Sequence, residues 1–126
     1  MRRRTPGLTE QELEIMKIVW SRGAATVREV YEELLTKRKV AYTTVMTMMG
    51  VLETKGHLKK TAGEKAYVYR PARPKQEVIG SMVTDFVSRV FNGSAKPLLL
   101  HLIESEQVSP AEIEEVRRML KKKEGR

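Results

Sequence analysis

Three times in this chain a hydroxyl residue is followed three positions later by glutamate, just ahead of an apolar run: Thr9 and Glu12, Thr26 and Glu29, Ser109 and Glu112. In such a capping box the hydroxyl accepts an early helix N–H, and the glutamate reaches back to the N–H of the capping residue. The pattern starts helices at three fixed points and commits the chain to a mainly α fold. At the third point Pro110 takes the first helical position, where its missing N–H costs nothing.

The apolar spacing behind each signal agrees. Leu13, Met16, Val19 and Trp20, with Ile15 beside them, predict a first helix that Arg22-Gly23 ends. Val27, Val30, Tyr31, Leu34 and Leu35 predict a second, whose other face carries Glu29, Glu32, Glu33, Lys37 and Arg38. A third helix is predicted from Ala41 to Lys55, with Ala41, Val45, Met48, Met49 and Leu52 on one face and Gly56 as its stop. Leu58–Thr61 and Ala66–Arg70 then alternate around Ala62-Gly63-Glu64-Lys65 and predict a β-hairpin that Pro71 closes.

The third helix carries an unusual outer face. At about 100° per residue, Thr43, Thr47, Gly50 and Thr54 lie opposite the apolar stripe, flanked by Tyr42, Thr44, Met46 and Val51. A solvated helix normally places Glu and Lys there, and Thr is a mediocre helix former. Small hydroxyl and methyl groups suit close docking. The major groove is one candidate surface, since Thr can bond base edges and touch thymine methyls. The other reading makes Met46 and Val51 core residues that pack against protein.

Charge separates the chain into two parts. Residues 1–75 hold 16 Lys and Arg against 8 Asp and Glu, whereas residues 76–126 hold 8 of each, so the whole net charge of +8 lies in the first part. A basic module beside a neutral one points to a polyanion partner for the first. Helix, helix–turn–helix and a basic hairpin (Lys59, Lys60, Lys65) is the order of a winged helix–turn–helix. We therefore expect a DNA-binding domain over 1–74 and a helical dimerisation region over 75–126. Arg2, Arg3 and Arg4 are expected to reach DNA as an arm.

The tail predicts three more helices. Ile79, Met82, Val83, Phe86 and Val90 fit one face, Asn92-Gly93 breaks the chain, and Pro97 opens a helix in which Leu98, Leu99, Leu100, Leu102 and Ile103 point nearly all round. Ile113, Val116, Met119 and Leu120 follow the last cap. A segment this short cannot hide so much apolar surface alone. Homodimerisation through Ile79, Met82, Val83, Phe86, Val90, Leu98, Leu99, Leu102, Ile113, Val116 and Leu120 would cover it; folding back on the first domain is the alternative.

Several classes are excluded. The chain has no Cys, which removes disulfides and thiolate chemistry and fits a reducing cytoplasm. His57 and His101 lack companions at ligand spacing and read as surface or boundary residues, so no metal or other cofactor is expected. No nucleophile–base arrangement or phosphate loop suggests an enzyme. No apolar run approaches the roughly 20 residues that span a bilayer, and none follows the N-terminal arginines as in a signal peptide. An RNA-binding or protein-adaptor module remains the other functional class.

Thr9 to Glu12, Ile15-Met16, Val19-Trp20, Thr26-Val27, Ala41-Tyr42-Thr43-Thr44-Val45-Met46-Thr47, Leu52, Lys55-Gly56, Tyr67, Tyr69 and Pro71 together resemble the BlaI/MecI penicillinase-repressor family. The resemblance covers nearly the whole chain. It implies a dimeric winged-helix transcriptional repressor on a palindromic operator, with Thr43, Thr44 and Thr47 contacting DNA and Met46 and Val51 nearby. Some members carry Arg at these last two positions; this chain does not. The family also implies release by cleavage in the tail, triggered by a membrane-bound metalloprotease sensor. The step cleaved in β-lactam-responsive members is Asn-Phe, and the aligned step here is His101-Leu102. The copper-responsive branch carries a cysteine cluster that this chain lacks.

Overall fold

A computed structural model describes residues 7–125, so Arg2, Arg3 and Arg4 lie outside the described residues. The elements are α1 (Glu10–Arg22), α2 (Val27–Leu35), α3 (Tyr42–Thr54), β1 (Leu58–Ala62), β2 (Tyr67–Pro71), α4 (Lys75–Phe91), α5 (Lys96–Glu104) and α6 (Pro110–Glu124). Two compact units divide the chain between Gly80 and Ser81, inside α4.

All three capping boxes form. Glu12 N–H donates to Thr9 Oγ1 at 3.1 Å, and Thr9 N–H donates to Glu12 Oε1 at 2.9 Å. Thr26 with Glu29 and Ser109 with Glu112 repeat the arrangement. The carboxyl of Glu112 sits below its ordinary value because the Ser109 backbone N–H and then its hydroxyl hydrogen-bond the ionised form. Gly23 ends α1 with φ at 83°, a conformation that a β-carbon disfavours, and its N–H reaches Val19 O at 2.8 Å.

The core of the first unit is built from Ile15, Met16, Ile18 and Val19 of α1, Val30 and Leu34 of α2, Val45, Met49 and Leu52 of α3, and Ala25, Leu58 and Tyr69. β1 and β2 pair antiparallel, with Lys59 opposite Arg70, Lys60 opposite Tyr69 and Thr61 opposite Val68. Gly63 N–H bonds Ala66 O at 3.0 Å across the turn, and a β-carbon there would lie 2.5 Å from that same oxygen, so the turn requires glycine. Ala25 and Tyr69 exchange two backbone hydrogen bonds at 2.9 and 2.8 Å, stitching the α1–α2 turn to the hairpin. His57 is buried, not at the surface or boundary as its sequence context predicts; its backbone N–H bonds Leu52 O, and its carbonyl accepts from Ala72.

The second unit holds the rest of α4 with α5 and α6. Among the described residues from 81 onward none is buried. Phe86 and Phe91 meet edge to face at 5.8 Å. Leu99, Leu100 and Ile103 of α5 are about half exposed, although the ring of apolar residues on this helix predicts burial.

Candidate nucleic-acid interface

α3 divides its residues cleanly between core and surface. Val45, Met49 and Leu52 are fully buried, and Met48 packs against the same core. Tyr42, Thr43, Thr44, Met46, Thr47, Val51 and Thr54 are exposed. Met46 is 47 % exposed and Val51 41 %, so neither is a core residue of this fold. Ala41, expected on the apolar side, is exposed as the N-cap. Gly50 is half-buried, and a β-carbon on it would meet no heavy atom within 4 Å. The fold therefore does not require glycine here, although glycine in mid-helix costs about 1 kcal/mol relative to alanine. This outer face presents hydroxyls, methyls and a thioether, and no ionised group.

Cations lie on the hairpin and beside the start of α3. Lys59, Lys60, Lys65 and Arg70 are all exposed on the hairpin. Lys59 and Arg70 are paired across the strands and share one side of the ribbon, where Arg70 donates to Thr61 Oγ1 at 3.1 Å. Lys60 lies on the other side. Its ammonium sits 4.5 Å from the Tyr67 ring centre and 3.6 Å from Glu53 of α3. At the start of α3, Tyr42 packs edge-on against Tyr31 of α2, and the Arg28 guanidinium lies 5.9 Å from its ring centre. Apolar spacing places Tyr31 on the stripe of α2 and assigns Arg28 no part in this interface. Their proximity to Tyr42 depends on how α2 crosses α3, which spacing along one helix does not reveal.

Two ion pairs join α1 to the segments flanking α3. Lys55, the C-cap of α3, reaches both Glu12 oxygens at 2.8 and 3.0 Å and the Gly7 carbonyl at 3.4 Å. Burial raises the Glu12 carboxyl, but the Lys55 ammonium and the Thr9 backbone N–H more than offset this and hold it below its ordinary value. Arg38, in the loop before α3, grips Glu14 through Nε and Nη2 at 3.2 and 2.8 Å. This hydrogen bonding outweighs desolvation and lowers the Glu14 carboxyl, while Glu14 in turn raises Arg38.

The tail residues expected at a dimer interface fall into two groups. Val83, Phe86, Val90, Leu99, Val116 and Leu120 are 43 to 58 % exposed, and Ile79, Met82, Leu98, Leu102 and Ile113 are half-buried. At the step aligned with the family's cleavage point, His101 is exposed and Leu102 half-buried, both within α5. No group of His, Asp and Glu able to hold a metal ion occurs among the described residues.

Three helices followed by a two-stranded ribbon, with the third helix presenting an uncharged outer face, define a winged helix–turn–helix module. The solution structure of the DNA-binding domain of the repressor BlaI superposes with a TM-score of 0.53 at 28 % identity, over 60 % of this chain and 93 % of that one. The Bacillus licheniformis BlaI monomer in complex with the blaP half-operator gives 0.52 at 28 % identity, over 59 and 90 %. The family model described as penicillinase repressor matches residues 8–122, and the chain belongs to that family. The penicillinase repressor of Bacillus licheniformis is 28 % identical over 124 residues, covering 98 % of this chain and 97 % of the relative. The transcriptional regulator BlaI of Mycobacterium tuberculosis is 32 % identical over 115 residues, covering 90 % of this chain and 82 % of the relative.

Proposed function

We propose that this protein is a sequence-specific DNA-binding transcriptional repressor that reads a palindromic operator as a homodimer and performs no chemistry itself. The observation that carries the reading is the outer face of α3, where Tyr42, Thr43, Thr44, Met46, Thr47 and Val51 are exposed together. Thr43, Thr44 and Thr47 supply base-edge and phosphate contacts, Met46 and Val51 supply apolar contact to thymine methyls, and Gly50 permits close approach. Lys59, Lys60 and Lys65 of the wing, with Arg2, Arg3 and Arg4, neutralise phosphates and release counterions, so affinity falls steeply with salt.

The proposed dimer lies in the tail, with residues 1–74 as the reading domain and 75–126 as the dimerisation region. Its support is the lack of any buried residue among the described residues after position 80, beside many half-exposed apolar ones. A twofold partner covering these side chains brings two reading helices to two half-sites. Derepression follows from loss of that dimer, through cleavage at or near His101-Leu102 by a protease that answers a membrane-bound metalloprotease sensor. No helix among the described residues is long and apolar enough to cross a membrane. The proposed place of action is the cytoplasm.

Selection of genomic DNA fragments by the purified protein, at near-physiological salt with excess non-specific competitor, tests the reading. Recovery of a palindrome with half-sites about one helical turn apart supports it. A featureless pool overturns it and moves an RNA-binding or adaptor role ahead.

A further inference from the structure

Glu12 and Glu14 stand two positions apart on α1, so they point to nearly opposite sides of that helix. Each grips a cation, one at the C-terminal end of α3 and one in the α2–α3 turn. Glu12 holds Lys55, immediately after the last turn, and Glu14 holds Arg38, three residues before the N-cap Ala41. α3 has 13 residues and is therefore about 20 Å long. The first anchor holds the C-terminal end of α3; the second holds the α2–α3 turn, since the Arg38 backbone N–H also bonds Leu34 O of α2 at 3.0 Å.

Other restraints on α3 are weaker in direction. Val45, Met49 and Leu52 bury it against the core, but apolar attraction is non-directional. Its N-terminus has no side-chain cap, unlike α1 and α2, whose capping boxes tie them down. A side chain that reads a base edge must arrive within the narrow range of hydrogen-bond lengths, about 2.7–3.2 Å.

We propose that Glu12 and Glu14 are positioning residues for DNA reading: through Lys55 they clamp the C-terminal end of α3 to α1, and through Arg38 the α2–α3 turn that leads into it, and so set which of its groups meet base edges. The inference rests on α3 being the reading helix. It assigns to α1 a share in specificity.

Two net-charge-neutral double variants test it, Glu12→Gln with Lys55→Gln and Glu14→Gln with Arg38→Gln. Affinity is measured for the duplex recovered by selection with the wild-type protein and for a scrambled duplex of equal length, across a salt series. The specificity ratio should fall about tenfold for the first pair, which is largely buried, and about threefold for the second, which is more exposed. The slope of log affinity against log salt should not change. The charge-exchanged pair Glu14→Arg with Arg38→Glu should restore the ratio. An unchanged ratio, or a failure of the exchanged pair to restore it, overturns the proposal. So does a slope smaller by about one, because Lys55 or Arg38 is then a phosphate contact. If the first pair does not fold, the Glu14 variants carry the test. If the wild-type protein selects no duplex, the α3 reading fails instead. Amide exchange of Val45–Thr54 in the DNA-free protein then decides the clamp: severalfold faster in the variants if the anchors hold, unchanged if they do not.

Discussion

Replacing Leu99 with aspartate should convert the protein to monomers. Burying a leucine side chain fully stabilises by about 1.5–3 kcal/mol. Leu99 is 54 % exposed, so about 1 kcal/mol of that remains to be gained when a partner covers it. A twofold interface uses each position twice, which makes the loss about 2 kcal/mol per dimer. The substituted carboxylates must also leave water, at a further cost of at least about 1 kcal/mol each. The combined penalty of about 4 kcal/mol weakens dimerisation about a thousandfold. Sedimentation velocity over a concentration series measures this directly. Circular dichroism and thermal unfolding check that the first unit, which does not contain Leu99, stays folded. An aspartate variant that dimerises as tightly as the parent refutes the reasoning and places Leu99 outside any interface.

Thr47→Glu sets a carboxylate on the face proposed to meet the groove; binding to the selected duplex should fall at least tenfold while sedimentation shows an unchanged dimer. Gly50→Ala should raise unfolding free energy by about 0.5–1 kcal/mol, because nothing obstructs the added methyl, and should weaken DNA binding where the backbone approaches closely. Greater stability with undiminished affinity would show that this face makes no close approach. The acid limb of stability is set in part by Glu12 and Glu14, whose carboxyls lie below the ordinary 4.5 in the folded protein. The unfolded chain then binds more protons, so their contribution is present above about pH 4.5 and is lost as pH falls through the folded values. Urea unfolding between pH 7 and 3 should show this fall, flattened in Glu12→Gln and Glu14→Gln; an identical pH slope in those variants refutes it.

The features legible in the sequence are those written within a few neighbouring residues. A capping box needs only a hydroxyl and a glutamate three apart ahead of an apolar run at helical spacing, and all three form. The hairpin is visible in alternation around Gly63, and the outer face of α3 in the absence of charge where charge is usual. The anchors of α3 are not legible in this way. Glu12 and Lys55 are separated by 43 positions and Glu14 and Arg38 by 24, and each glutamate also fits an ordinary solvated helix face. The burial of His57 and the pairing of Ala25 with Tyr69 likewise arise from chain crossings that no local pattern encodes. In α5, apolar residues on most sides predict a buried helix. Their half exposure shows that periodicity reports a need for cover without saying what supplies it.

The split of α3 into two non-overlapping sets of residues has a consequence for how such proteins diversify. Val45, Met49 and Leu52 hold the helix in place, and Thr43, Thr44, Met46, Thr47 and Val51 take no part in that core. Substitution in the second set leaves the folding free energy nearly untouched, as surface changes usually do. On the proposed reading of α3, a duplicated gene can therefore explore new target sequences at constant stability and, with the wing lysines unchanged, at nearly constant general attraction to DNA. Recognition in this scaffold is free to drift while the scaffold stays put.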